Sequence, residues 1–230
     1  MRYWAAWAAL LLASCTAEHD SRVDPADHDA FYLWAGVRPQ PVLAQAKTLY
    51  ILAGEVRRDG TWVPLRAGPP RRDKAEVWLV VRAASLAWPD DTRAAILREL
   101  ALWGKGARLT GLQVDFDAAT AGLAEYGAFL KDLRARLPAE YQLSVTGLMD
   151  WSANGDPAAL ASLKGVVDEV VVQSYQGRST IPGYARYLAR LARVPVPHKV
   201  ALVQDGEWSE PAALRRDPLF RGYVVFLLNP

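Results

Sequence analysis

The sequence predicts an α/β fold, a compact (β/α)8 TIM barrel, on three observations. Eight short β-rich runs recur along the 230 residues. Most are continuous apolar runs, as strands covered on both faces require. Helical patterns fill several of the gaps, and strand–helix alternation means a parallel sheet. Eight such units in a chain of this length fit a barrel near the small end of its size range.

The runs are Phe31–Trp34, Leu49–Glu55, Glu76–Arg82, Gly111–Phe116, Gln142–Leu148, Glu169–Ser174, Lys199–Val203 and Gly222–Leu228. Between the third and fourth, residues 91–103 carry Ile96, Leu97, Leu100 and Trp103 at helical spacing after the start signal Pro89-Asp90. Between the fourth and fifth, residues 121–137 carry Leu123, Tyr126, Leu130, Leu133 and Leu137 and stop at Pro138. Residues 184–194 carry Tyr184, Tyr187, Leu188 and Leu191 and stop at Pro195. Residues 157–163 and 211–216 are shorter candidates, each opened by a proline. The gap 57–74 has no helical period and holds Asp59-Gly60, Pro64, Gly68, Pro69 and Pro70. Asp-Gly between β-type residues predicts a turn or hairpin where the second helix of a barrel belongs. The gap is also basic, with Arg57, Arg58, Arg66, Arg71, Arg72 and Lys74. It reads as a solvated loop, or as a surface for anionic lipid or polysaccharide.

Composition removes several function classes. Lys and Arg number 27 against 25 Asp and Glu, too balanced for a nucleic-acid footprint. A single cysteine forbids an intrachain disulfide framework. The three histidines, His19, His28 and His198, lack metal-site spacing, so no metal is expected. There is no Gly-rich phosphate loop, Walker motif or nucleophile elbow, and no cofactor is expected.

The first residues read as an address. Met1-Arg2 is a short positive start, Tyr3 to Leu12 is apolar, and Leu12-Ala13-Ser14-Cys15 follows. About ten apolar residues are too few to span a bilayer as a helix but suit a signal peptide. The ending resembles a bacterial lipobox. That resemblance implies lipidation of Cys15 as the mature N-terminus, and Thr16 in the next position implies outer-membrane sorting, facing the periplasm. The domain plan is then a signal peptide at 1–14, a flexible tether at 15–29 and the barrel at 30–230. Residues 16–30 are acidic and lack an apolar period, which predicts a segment that does not order itself.

One strand carries the chemistry. In Gly111-Leu112-Gln113-Val114-Asp115-Phe116-Asp117, side chains alternate, so Gln113, Asp115 and Asp117 share one face and Leu112, Val114 and Phe116 the other. The apolar set belongs against the helices and the polar set inside, ending at the C-terminal mouth where barrels place their sites. Two carboxylates so close repel, which raises one pKa and suits a proton donor. The same pattern also admits a structural role: Asp115 bonding within the barrel, Asp117 capping the next turn.

This stretch resembles the fourth-strand motif of glycoside hydrolase family 18, the chitinase-like barrels, Asp-Gly-x-Asp-x-Asp-x-Glu. Gly111 matches the Gly, Gln113 replaces the first strand Asp, Asp115 matches the second, and Asp117 stands where the acid Glu belongs; Thr110 replaces the leading Asp. Asp168 to Tyr175 resembles the sixth-strand segment Met-x-Tyr-Asp, with Gln173 for Met, Tyr175 for Tyr and Gln176 for Asp. Gly222 to Phe226 resembles the last strand. Tyr32-Leu33-Trp34 and Gln113-x-Asp115-Phe116-Asp117 also resemble a bacterial family catalogued as domain of unknown function 3142. The resemblance implies a chitinase-like barrel in which Asp117 is the acid, Asp115 its electrostatic partner, and Tyr175 a contact for an N-acetyl oxygen. Asp117 is one methylene shorter than Glu, and a loss of roughly 1 Å of reach can cost about a hundredfold where positioning is critical.

Other expected mouth residues follow from strand ends: Gln173, Trp34, Arg82, Asp150, Trp151 and Gln204, with the aromatics able to stack on sugar faces. His198, before the seventh strand, is expected at the bottom without a catalytic role. Three functions fit: a lipid-anchored glycoside hydrolase, a non-catalytic carbohydrate-binding lipoprotein, and a structural envelope lipoprotein. The expected partners are a carbohydrate or envelope polysaccharide and a membrane; nucleic acid is not one.

Overall fold

A computed structural model describes residues 21–66, 68 and 74–229. The signal-peptide and lipidation readings at residues 1–15, and Arg71 and Arg72 of the basic loop, lie outside these residues.

Eight parallel strands close into a ring: β1 (Ala30–Leu33), β2 (Thr48–Val56), β3 (Glu76–Ala83), β4 (Arg108–Asp115), β5 (Gln142–Leu148), β6 (Glu169–Gln173), β7 (His198–Val203) and β8 (Phe220–Phe226). Each pairs with its sequence neighbour, and β1 pairs with both β2 (Phe31 beside Leu49) and β8 (Phe31 beside Val225), which closes the barrel. All eight expected strands are present. Helices α1 (Asp90–Gly104), α2 (Leu123–Arg136), α3 (Asp150–Asn154), α4 (Pro157–Ser162) and α5 (Tyr184–Leu188) coat the outside. The helices expected at 184–194 and 211–216 are shorter than their patterns suggest: the first is α5 followed by a 3-10 turn at Leu191–Arg193, the second a 3-10 turn at Leu214–Arg216.

The second helix is replaced by a hairpin arm, Trp62–Pro64, antiparallel to the end of β2. Gly60 at φ +82° makes the turn, and Asp59 Oδ1 accepts the Thr61 amide across it. A left-handed residue costs glycine nothing.

Strand alternation divides the interior in two. Leu112 and Val114 of β4 pack outward with Ile96, Leu100, Tyr126 and Leu130 of the helices. Tyr32, Tyr50, Trp78, Val171 and Val224 pack inside the ring. Below them, at the N-terminal ends of the strands, lies a polar cluster. Lys199 Nζ sits 3.0 Å from Glu169 Oε2 and donates to Tyr50 Oη at 2.9 Å; Tyr50 and Ser144 hydroxyls both donate to Glu169 Oε1. His198 is buried at this base, against Val196 O and Asp217, as a structural histidine should be.

The segment 21–29 differs from a free tether. Residues 21–22 pair antiparallel with Glu207–Trp208, Val23 is buried, and Gln45 Nε2 donates to the carbonyls of Ala26 and His28. One valine and a handful of backbone bonds hold it, which the absence of an apolar period does not reveal.

Candidate active site

The C-terminal ends of the strands form an open cleft with two lobes. The inner lobe, about 350 Å3, is lined by Tyr32, Trp34, Arg82, Asp115, Asp117, Thr146, Gln173, Tyr175 and Phe226, among others. The outer lobe, about 650 Å3, shares Arg82, Asp117, Gln173 and Tyr175 and adds Met149, Asp150 and Tyr187. Both volumes lie in the range of small-molecule sites.

β4 places the carboxylates. Asp115 is its last residue and half-buried; Asp117 lies two residues on and is exposed. Thr146 on the neighbouring strand β5 accepts the Phe116 amide at 3.2 Å and donates to Asp115 Oδ1 at 2.9 Å. With its lone pair committed to the amide, the threonine proton is directed at the carboxylate.

The Asp115 carboxyl is nonetheless pushed up to about 6, from an ordinary 3.8. Burial is the largest cause; the Thr146 bond opposes it, the Asp117 charge adds to it and Arg82 subtracts. The raised group expected from carboxylate repulsion therefore exists, but desolvation outweighs the repulsion. It is the inner carboxyl, not the one in the acid's position.

The wall opposite is aromatic. Trp34 and Phe226 meet edge-on at 5.3 Å, Tyr32 and Trp34 at 5.6 Å, and Tyr175 and Phe226 lie 5.3 Å apart. Ring faces and edges of this kind suit the C–H surfaces of sugars. Burial pushes the Tyr32 and Tyr175 hydroxyls upward, so both stay protonated donors. The Tyr32 hydroxyl, 2 % exposed as a residue, lies beside Gln113 without reaching hydrogen-bond geometry and has no partner among the described residues.

Seven residues expected at the mouth thus line the cleft: Trp34, Arg82, Asp115, Asp117, Asp150, Gln173 and Tyr175. Three do not. Gln113 is fully buried beneath Asp115 and donates to Ser144 Oγ at 2.9 Å; two residues along a strand is about 6.6 Å of depth. Trp151 is fully buried, its indole donating to Ala118 O at 2.8 Å, because it turns from α3 into the layer between helices and sheet. Gln204 accepts from Gln40 and the Leu228 amide and faces a neighbouring groove shared with residues 22–26. Tyr32, Thr146 and Phe226 also line the cleft, outside the set that strand ends predict. Tyr32 was readable, since it shares a strand face with Trp34. Among the described residues no cluster of three or more His, Cys, Asp or Glu is placed to hold a metal ion.

Comparison with known proteins agrees with this geometry at the level of fold. The chitinase domain of the spore coat protein CotE from Clostridium difficile superposes with a TM-score of 0.52 at 14% identity, over 91% of this chain and 74% of that one. Tamarind chitinase-like lectin gives 0.52 at 11% identity, over 86% and 94%. The spore cortex-lytic enzyme SleL of Bacillus cereus gives 0.44 at 18% identity; the match covers 75% of this chain and only 49% of SleL. No curated protein matches the sequence. Residues 75–179 match the family described as Domain of unknown function (DUF3142). That segment runs from β3 through β6 and supplies Arg82, Asp115, Asp117, Asp150, Gln173 and Tyr175. The stretch that matches this family model thus builds most of the cleft, in a barrel whose fold is similar to that of a chitinase domain and a chitinase-like lectin.

Proposed function

We propose that this chain is an envelope protein, anchored by a lipid on Cys15, that takes a glycan into the mouth cleft and hydrolyses it with Asp115 and Asp117. The single observation that carries the reading is the Asp115 carboxyl, held near 6 at the base of an open, aromatic-walled cleft. A carboxyl that keeps its proton close to neutral pH is what protonation of a glycosidic oxygen needs. The roles follow environment rather than chain position. Asp115 gives its proton to the leaving oxygen, the bond from that oxygen to the sugar carbon breaks, and water supplies the hydroxyl that replaces it and returns the proton. Asp117, exposed at the rim, holds negative charge toward the sugar carbon as it becomes positive. This exchanges the roles that the strand motif implies.

The neighbours' names support a carbohydrate ligand: one is a chitinase domain and another a chitinase-like lectin. The lectin also keeps a second reading in view, glycan binding without cleavage. One observation favours it: the rim carboxylate is Asp117, a methylene shorter than the Glu of the motif it resembles. Turnover of a panel of acetylamino-sugar and other glycan oligomers separates the two. Hydrolysis predicts activity that Asp115→Asn abolishes, and an alkaline limb of the pH profile near 6 that Asp117→Asn moves to lower pH, at a lower rate, because the Asp117 charge helps raise Asp115. Binding with no turnover at any pH selects the second reading, and neither binding nor turnover overturns both.

A further inference from the structure

The N-terminal segment does more than lead into the barrel: it fixes where the chain leaves it. Val23 N donates to Gly206 O at 2.9 Å and Asp205 N donates to Val23 O at 3.0 Å. The Arg22 guanidinium donates to Asp205 O at 2.7 Å. Asp205 is the one non-glycine residue with positive φ, +61°, among the described residues. That conformation is disfavoured for any residue with a Cβ, least for Asp and Asn. Residues 204–208 follow directly on β7, so they belong to the mouth end of the barrel. From there the segment descends to the base, where Asp29 O accepts the amides of Lys47 and Thr48 at the start of β2. Ser21 therefore stands on the rim of the mouth, not at the base.

Cys15 is six residues from Ser21. Six residues span at most about 22 Å when fully extended. β7, with six residues, is itself about 20 Å long. A barrel standing on its base would spend the whole reach of the chain passing its own strands, with nothing left for the loops beneath them.

We propose that the open end of the barrel faces the bilayer that holds the chain's own acyl anchor, so that its ligand is a glycan presented within about 20 Å of the lipid surface. This rests on the lipidation reading above. The occupant of the mouth-side surface is the membrane itself. The geometry excludes a ligand that lies deep in the compartment and beyond the reach of the anchored rim.

The test uses the full-length lipidated protein in vesicles containing an acceptor-labelled lipid. Single donor fluorophores are placed at the mouth by Arg178→Cys and at the base by Glu140→Cys, both exposed positions. The mouth label is expected to transfer at least twofold more efficiently than the base label, and a 20-residue Gly-Ser insertion after Thr16 is expected to remove the difference. Equal transfer from the two labels at native length, or stronger transfer from the base, overturns the orientation. Mass spectrometry of the same sample reads the anchor independently. A missing acyl mass at Cys15 overturns both the anchor and the orientation, while glycan binding by the cleft stands or falls on its own titration.

Discussion

Neutralising Asp115 should make the protein more stable in base and not in acid. In the fold the carboxyl titrates at about 6, and in the unfolded chain near its ordinary 3.8. Between these values the folded state binds more proton than the unfolded one, so this group's contribution to stability falls as pH rises from about 4 to above 6. Below both values the contribution is nil. Above both, ionising Asp115 in place costs about 3 kcal/mol. Solvent in the open cleft lowers the figure, and about 2 kcal/mol is the expected size. Asp115→Asn keeps an oxygen for the Thr146 hydroxyl and removes the charge. Urea unfolding followed by tryptophan fluorescence, for both proteins at pH 4 and pH 8, isolates the effect, since other titrating groups cancel in the difference. The variant should come within about 0.5 kcal/mol of the wild type at pH 4 and exceed it by about 2 kcal/mol at pH 8. A difference that is the same at both values would refute the claim that burial strains this carboxyl. Stability sacrificed at a reactive group is a common mark of an active site.

Three further outcomes follow from the same structure. Gly111→Ala would place a Cβ 2.0 Å from Gln142 O; β4 and β5 must separate, and denaturation should show a loss of about 3 kcal/mol or more. Lys199→Met leaves Glu169 buried without its counter-charge and should cost about 3–5 kcal/mol in the same assay, whereas Lys199→Met with Glu169→Gln should recover most of the loss. Tyr175→Phe removes a donor at the cleft and should weaken glycan binding about tenfold by calorimetry, with stability changed by less than about 1 kcal/mol.

The barrel was readable because its strands are covered on both sides and so appear as apolar runs in Leu49–Glu55, Glu76–Arg82 and Gln142–Leu148. The missing helix was readable from Asp59-Gly60, a local turn signal. The site was readable in part. Alternation on β4 tells which face Gln113, Asp115 and Asp117 share, but not how deep each sits; depth depends on where the strand ends, and β4 ends at Asp115. Alternation alone therefore points Gln113 toward the mouth, whereas the side chain lies beneath it. Trp151 carries no signal of its own: its indole is captured by Ala118 O, 33 residues away. The strap at residues 21–23 pairs with a turn more than 180 residues distant, a contact that no local pattern encodes.

The proposed function requires a glycan in the mouth between the carboxylates and the aromatic wall. The direct measurement is a glycan titration of protein carrying 15N in its tryptophan indoles and 13C in its aspartate carboxyls. A bound glycan should shift the Trp34 indole and the Asp115 carboxyl while leaving the buried Trp103 and Trp151 still, and Trp34→Ala should weaken the affinity at least tenfold. If no glycan in the panel moves those two signals, or one binds with the same affinity after Trp34→Ala, the cleft is not a carbohydrate site.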